Sequence, residues 1–472
     1  MFDKKLNFNE SKISIILLLL SVILYFIICF NAFSKPVLGF DDYYTLGIVR
    51  FSFMDMINST ASNVHPPCYY IIFKIFKTLF HASSNFNLIM VGKFVSLIPL
   101  GLLMIFSWVK IRKEFGILVC GIFCLLLCSS FQIMNYSTVI RMYSWGLFFL
   151  TIQLFYAYKL FKYDTNLYWI IFTIAAICSS YTHYFSAISS IIIYLLLLFY
   201  FILYNKGQIK KWLISTAICI LTYLPWLNIL LSQISSVKNE YWIKPITIGK
   251  IFDYFQFIFS PMNNEIGTIF GIILFVTIII LIYIVFSRGL LSIDEKYNLF
   301  ILFSLVFITI FTGIVLSFLI RPIFVERYIV PCLGSICLGF AILIDKLKND
   351  KNIFLPLIVF ILIFSLMGAV GFVNETNVTF EDSTYTTDLL NDINQNYNFV
   401  VINDPLSNLR YSPFLNNATV IFGDINTTIS SHPNEGIYVI FDKHKDLENN
   451  TNFMQIGQIH QDKIYTFNNS VI

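Results

Sequence analysis

Hydrophobic and polar positions separate along this chain into long blocks rather than short alternations. Apolar runs lie close to 13–33, 87–109, 116–134, 142–161, 166–182, 184–204, 212–231, 266–286, 298–320, 325–345 and 353–373. Each reaches or approaches the roughly 20 residues an α-helix needs to cross a bilayer. The pattern therefore predicts about eleven transmembrane helices. Residues 66–81, PPCYYIIFKIFKTLFH, are shorter, begin with two prolines and carry Lys74, Lys77 and His81. They predict a helix lying at the membrane interface, as do the mixed faces of YYTLGIVRF and FSFMDMIN within 34–86.

Beyond residue 373 the pattern changes to Asn-, Asp- and Thr-rich sequence with the short β-like runs NFVVIND, ATVIFGD, GIYVIFDK and DKIYTFN. A helical stretch, TTDLLNDINQNY, precedes the first of them. Residues 1–373 are thus expected to form a membrane domain, and 374–472 a small α/β domain outside the bilayer.

Composition agrees. Hydrophobic residues make up 57% of the chain and charged residues only 12%, with a mean hydropathy of +0.75; a soluble protein averages about 25% charged. The net charge of +4 is small and dispersed, which gives no basis for nucleic-acid binding. Residues 374–472 contain no cysteine, which excludes a disulfide framework there. Cys120, Cys124 and Cys128 fall at helical spacing inside an apolar run and read as small core hydrophobes. Residues 13–33 are long, and no small-residue cleavage site follows them, so they read as a first span rather than a cleaved leader.

Charge orients the spans. Loops on the cytoplasmic side collect Lys and Arg. With 66–81 outside the bilayer core, one face receives sixteen Lys and Arg in six short segments, among them Lys110, Arg112, Lys113, Lys206, Lys210 and Lys211. The other face receives ten over longer loops. Counting 66–81 as a span scatters this bias. The expected topology is a multi-pass protein of the cell membrane with a cytoplasmic N-terminus and an extracytoplasmic C-terminal domain.

The outer face then holds the residues with chemistry. Asp41 and Asp42 follow the first span, where one carboxylate could simply cap a helix but two adjacent ones are more than a cap requires. His65 precedes Pro66, which forces it out of the α region and fixes its aim. Arg141 and His183 stand at outer ends of spans beside Tyr143 and Tyr184. Arg321 and Arg327 flank a Pro-containing turn, and two guanidiniums so close suit an anion such as phosphate. Lys93, near the outer end of its helix, is the main ionisable residue within the spans. Proton- or ion-coupled transporters place charge at the midplane instead.

These residues lie in FDDYYT, VHPPCYYIIFKIF, IRMYSWGLFFL, SYTHYFS and RPIFVERYIVP. In that order, over the membrane part, the motifs resemble the GT-C superfamily of polyprenyl-phosphate-sugar-dependent glycosyltransferases. The relatives in view are the dolichyl-phosphate-mannose protein mannosyltransferases and the aminoarabinose (lipid A) transferases. The resemblance implies a GT-C fold and a polyprenyl-phosphate sugar donor, with a lipid, glycan or protein as acceptor. By position, Asp41 matches the general base, and Asp42 stands where Glu is usual. His65 and Tyr328 match positions facing the donor phosphate, with Arg327 and Arg321 as partners. Arg141, His183 and Tyr184 match cavity-lining positions, which Tyr143 and Lys93 join as neighbours. Asp41, Asp42, His65 and His183 could also supply a divalent metal site. A flippase of lipid-linked sugars and a non-catalytic envelope assembly protein are the rival readings.

Overall fold

The computed structural model describes residues 2–239, 243–425, 427–428, 437–443, 447 and 453–468. The helices, in chain order, begin with α1 (Phe2–Ser34), α2 (Phe40–Ile48), α3 (Phe53–Ala61), α4 (Cys68–Leu79), α5 (Asn85–Phe106) and α6 (Arg112–Phe115). Next come α7 (Ile117–Ser129), α8 (Phe131–Thr138), α9 (Tyr143–Lys162), α10 (Asn166–Thr182), α11 (Tyr184–Tyr204) and α12 (Ile209–Asn239). The last are α13 (Ile248–Phe259), α14 (Glu265–Ser287), α15 (Ile293–Leu319), α16 (Leu333–Lys346), α17 (Lys351–Asn396) and α18 (Pro405–Tyr411).

All the predicted apolar runs are helical. Eight segments among the described residues are long and apolar enough to cross a membrane, and the bent pair α7–α8 makes a ninth. The two other expected spans, α9 and α10, do not meet the same measure. α10 has only 17 residues. α9 is buried along most of its length and carries Gln153, Lys159 and Lys162; a helix enclosed by other helices need not be apolar all round. α4, with 12 residues, is too short to span.

Two local features set up the outer face. α7 and α8 meet at a 62° bend, where Ser130 is extended. α17 packs directly into that bend: Ser365 Oγ donates to Ser129 Oγ at 3.0 Å, and a Cβ on Gly368 would collide with the Ser129 carbonyl. The second feature is a tight 3₁₀ segment, Glu326–Cys332, leading into α16. It presses on α9 where Gly146 leaves room for the Pro331 ring, since a Cβ there would come within 2.9 Å of it. That approach delivers Arg327 and Tyr328 beside Tyr143.

α17 runs unbroken for 46 residues, from the membrane bundle into the C-terminal part. There a sheet of β1 (Phe399–Ile402), β2 (Thr419–Phe422), β3 (Ile437–Asp442), β4 (Met454–Ile459) and β5 (Asp462–Asn468) has the order β2-β1-β3-β5-β4. β1 pairs in parallel with β2 and β3, while β5 pairs antiparallel with β3 and β4. Strand β4, MQIGQI, lies outside the four β-like runs read from the sequence because it is polar and mostly not buried.

The C-terminal part is not a loosely attached lobe. Val400, Ile402, Tyr411, Val439 and Phe441 share one apolar core with Leu38, Tyr43, Leu46 and Tyr69. Helix α2 therefore lies between membrane helices and sheet domain, with Asp42 through Ile48 all buried, rather than at an exposed interface. Gly47 permits this contact, because a Cβ there would collide with the Leu409 carbonyl of α18.

Candidate active site

Helix α2 points its first turn at the site and gives the two adjacent carboxylates opposite environments. Asp42 occupies the third helical position. Its Oδ2 accepts from the Gly39 amide at 2.8 Å, satisfying a donor at the helix start. Its Oδ1 accepts from the Ile140 amide at 2.6 Å. Both oxygens are thus taken by backbone, and the residue is 2% exposed. Burial pushes its proton affinity above the ordinary carboxylate range, against the pull of Lys93 and the two amides.

Asp41 turns the other way and stays partly open, with its side chain 25% exposed. Oδ1 lies 3.1 Å from Arg141 Nη2 and Oδ2 lies 3.4 Å from Arg327 Nη1. Burial pulls its pKa upward, but Arg141, Arg327 and Arg410 outweigh that and hold it below the usual range. Asp41 is therefore ionised at neutral pH.

Arg141 is the hub. It sits just before α9 and is 3% exposed. Nη1 donates to Tyr70 Oη at 2.8 Å and to Thr45 Oγ1 at 3.3 Å, and Nη2 meets His65 Nε2 at 3.3 Å. A guanidinium can only donate, so His65 Nε2 accepts and the proton of the neutral ring sits on Nδ1. That Nδ1 is buried with no hydrogen-bond partner among the described residues. His183 has the opposite tautomer: its Nδ1 accepts from the Phe185 amide at 3.2 Å, leaving Nε2–H as the donor. Burial, then Arg141 and other nearby positive groups, keeps both rings neutral, with His183 lowered to about 3. The two rings are 5.8 Å apart, and the Tyr328 ring is 4.6 Å from His183. Tyr143 is 5.9 Å from His183 on another side, and its hydroxyl is also buried without a partner among the described residues.

His65, His183 and Tyr328 line a groove of about 680 Å³. The rest of its wall is largely apolar and comes from α10, α11, α12 and α15, including Ile188, Leu195, Leu227 and Leu316. Tyr184 lines the groove and is fixed there: its hydroxyl donates to Gln233 Oε1 and accepts from Trp226 Nε1 at 3.1 Å. Gln233 in turn holds the Thr60 and Ala61 carbonyls of α3 at 3.2 and 2.9 Å. Arg321 is half-buried in the bend after α15, between the groove residues Ile320 and Ile323. Lys93 lies elsewhere. Its Nζ donates to the Val37 carbonyl and, at 2.8 Å, to the Thr138 carbonyl. It thereby ties together the two segments that carry Asp41 and Arg141.

The divalent-metal set that the sequence left open does not fit. Asp42 is occupied by amides, Asp41 by two arginines and His65 Nε2 by Arg141. Among the described residues no three His, Cys, Asp or Glu side chains converge as ligands.

Three neighbours of Asp41 were absent from the sequence reading. Thr45 and Tyr70 orient Arg141 from α2 and α4. Arg410, from α18, is 5% exposed, with its Cζ 3.4 Å over the Phe40 ring and its charge acting on Asp41. It is the one arginine in residues 374–472, which was the available signal.

The helices and the C-terminal sheet define a polytopic, mostly helical membrane protein with a polar cluster beside its sheet domain. No family model matches the chain, and no curated protein matches it in sequence. In structure it is similar to ArnT from Cupriavidus metallidurans. The ArnT structure bound to undecaprenyl phosphate superposes with a TM-score of 0.63 at 10% identity, covering 96% of this chain and 97% of that one. The apo ArnT structure gives 0.61 at 10% identity, with 97% and 98% covered. The archaeal oligosaccharyltransferase AglB from Archaeoglobus fulgidus, in complex with an inhibitory peptide and a dolichol-phosphate, gives 0.47 at 13% identity, over 93% of this chain and 70% of that one.

Proposed function

We propose that this protein is a membrane glycosyltransferase that moves a sugar from a polyprenyl-phosphate donor to an acceptor hydroxyl at the extracytoplasmic surface. The observation that carries the reading is the meeting of the apolar groove with the polar cluster. A prenyl chain fits the groove, and its phosphate would then lie beside His65, His183 and Tyr328, where the His183 Nε2–H could donate to it. The ArnT structure that shares this fold binds undecaprenyl phosphate.

In this mechanism the acceptor oxygen attacks the anomeric carbon as its proton passes to Asp41. The bond from that carbon to the phosphate oxygen breaks, and its electron pair leaves with polyprenyl phosphate. Attack opposite the leaving group inverts the anomeric centre. The departing phosphate is a good leaving group, so the site needs a base and donors for the growing negative charge. Asp41 supplies the base, and Arg327, Tyr328, His65 and His183 supply the donors. Asp42 is assigned a structural part, holding the start of α2 against Ile140. Residues 1–373 form the catalytic membrane domain, with N-terminus inside, and 374–472 cap it outside.

The test is purified full-length protein with radiolabelled polyprenyl-phosphate sugars and a membrane extract. Label appearing on an acceptor with release of polyprenyl phosphate supports the reading. Donor crossing between leaflets without turnover would sink it in favour of a flippase.

A further inference from the structure

A second cavity, of about 240 Å³, opens near the outer face and shares no wall residue with the lipid groove. Its volume corresponds to about eight waters of liquid, enough for one sugar ring and far too little for a prenyl chain. Its position is set by the same backbone that builds the active site. Val37 lines it, two residues before Gly39, and Thr138 and Val139 line it immediately before Ile140 and Arg141. Tyr136, also in the wall, has its ring 5.2 Å from that of Tyr143, which neighbours His183.

The wall differs in chemistry from the groove. Gln132, Asn135, Asn263 and Thr376 present amides and a hydroxyl, and Tyr136 adds an aromatic ring. Gln132 is 7% exposed, yet among the described residues neither its amide nor that of Asn135 has a hydrogen bond. Both amides line the cavity, and an amide both donates and accepts, as a sugar hydroxyl requires of its partner. The ammonium groups present are already engaged with neutral oxygens: Lys35 with Asn377 Oδ1, and Lys93 with the Val37 and Thr138 carbonyls. Glu375 adds an opposing negative charge in the same wall. The cavity is thus suited to a neutral polyhydroxyl ring.

We propose that this cavity binds a sugar ring of the acceptor, so that the acceptor is a saccharide whose free hydroxyl is presented to Asp41. The proposal rests on the glycosyltransferase reading and adds the acceptor class to it.

The experiment uses the full chain in nanodiscs. Undecaprenyl phosphate binding is measured first. Saturation-transfer difference NMR then follows the methyl glycosides of glucose, galactose, mannose and N-acetylglucosamine, and separately a Ser/Thr-containing hexapeptide. A glycoside should bind, and Gln132→Leu and Asn135→Leu should each weaken it about three- to tenfold, the worth of a hydrogen bond. Undecaprenyl phosphate affinity, read in the same samples, should stay within twofold. Asn135 is only half-buried, so its variant keeps the comparison if Gln132→Leu misfolds. Binding of no glycoside, equal binding in folded variants, or binding of the hexapeptide alone would overturn the proposal. Failure of the wild-type protein to bind undecaprenyl phosphate would instead overturn the reading on which it rests.

Discussion

Asp41→Asn separates the two things that Asp41 does. As the base of the proposed mechanism it would take the proton, so the sugar-transfer rate should fall by about 10²- to 10⁴-fold. As an ion it balances Arg141, which is 3% exposed and cannot shed its charge. Removing one partner of a fully buried pair costs about 3–5 kcal/mol. Here the carboxylate is a quarter exposed, and Arg141 keeps Tyr70 and Thr45, so a loss of roughly 2 kcal/mol is expected. The variant should fold but melt lower. Adding Arg141→Gln removes the stranded charge, and the double variant should be more stable than the sum of the single changes predicts. Transfer must stay low in both, because neither restores a base. The assays are thermal unfolding and transfer of labelled sugar from a polyprenyl-phosphate donor under single-turnover conditions. Wild-type transfer in folded Asp41→Asn would refute the mechanism. Recovery of transfer in the double variant would show that Asp41 serves only as a counter-ion.

Asp42→Asn should behave in the opposite way. It removes one of two charge-assisted bonds to backbone amides and should cost about 2 kcal/mol, while transfer per folded molecule drops far less than in Asp41→Asn. Gly47→Ala should destabilise the protein by about 1–3 kcal/mol, because its methyl meets the Leu409 carbonyl; limited proteolysis should then cut residues 374–472 sooner. His65 and His183 are held neutral in the fold, with lowered pKa values, while the unfolded chain binds protons near pH 6.5. Stability should therefore fall as pH drops below about 6.5, by up to roughly 1.4 kcal/mol per pH unit per histidine. His183→Gln should flatten that slope, and a slope unchanged in this variant would contradict the neutral assignment.

The spans were legible because lipid demands length and apolarity together, and each run met that demand or came close. α9 shows the limit: its polar residues are tolerated because other helices surround it, and enclosure is a tertiary fact that no window of sequence contains. α2 shows the same limit from the other side. YYTLGIVRF has the mixed faces of an interfacial helix, but a sheet assembled more than 350 residues later covers its outer side. Strand β4 escaped notice because an antiparallel partner, not an apolar face, holds it in place.

For the site, counting positive charge led to the expectation that Asp41, His65, Arg141, His183 and Arg327 share one side of the membrane, and the fold brings these side chains into one cluster. Counting was not enough to say which groups touch. The pair Asp41–Asp42 makes the reason plain. Neighbouring helical positions point about 100° apart, so one carboxylate enters the Arg141–Arg327 field and the other turns into backbone amides. The metal site left open by the sequence meets the same limit, because spacing alone does not say which donors are already taken. Once one carboxylate has capped a helix and the other has paired with two guanidiniums, no vacant donor set remains among the described residues. What the cluster offers instead is fixed positive charge and the His183 Nε2–H. Under the proposed mechanism that would suffice for a leaving phosphate that arrives already activated, where a less activated donor would also need an acid.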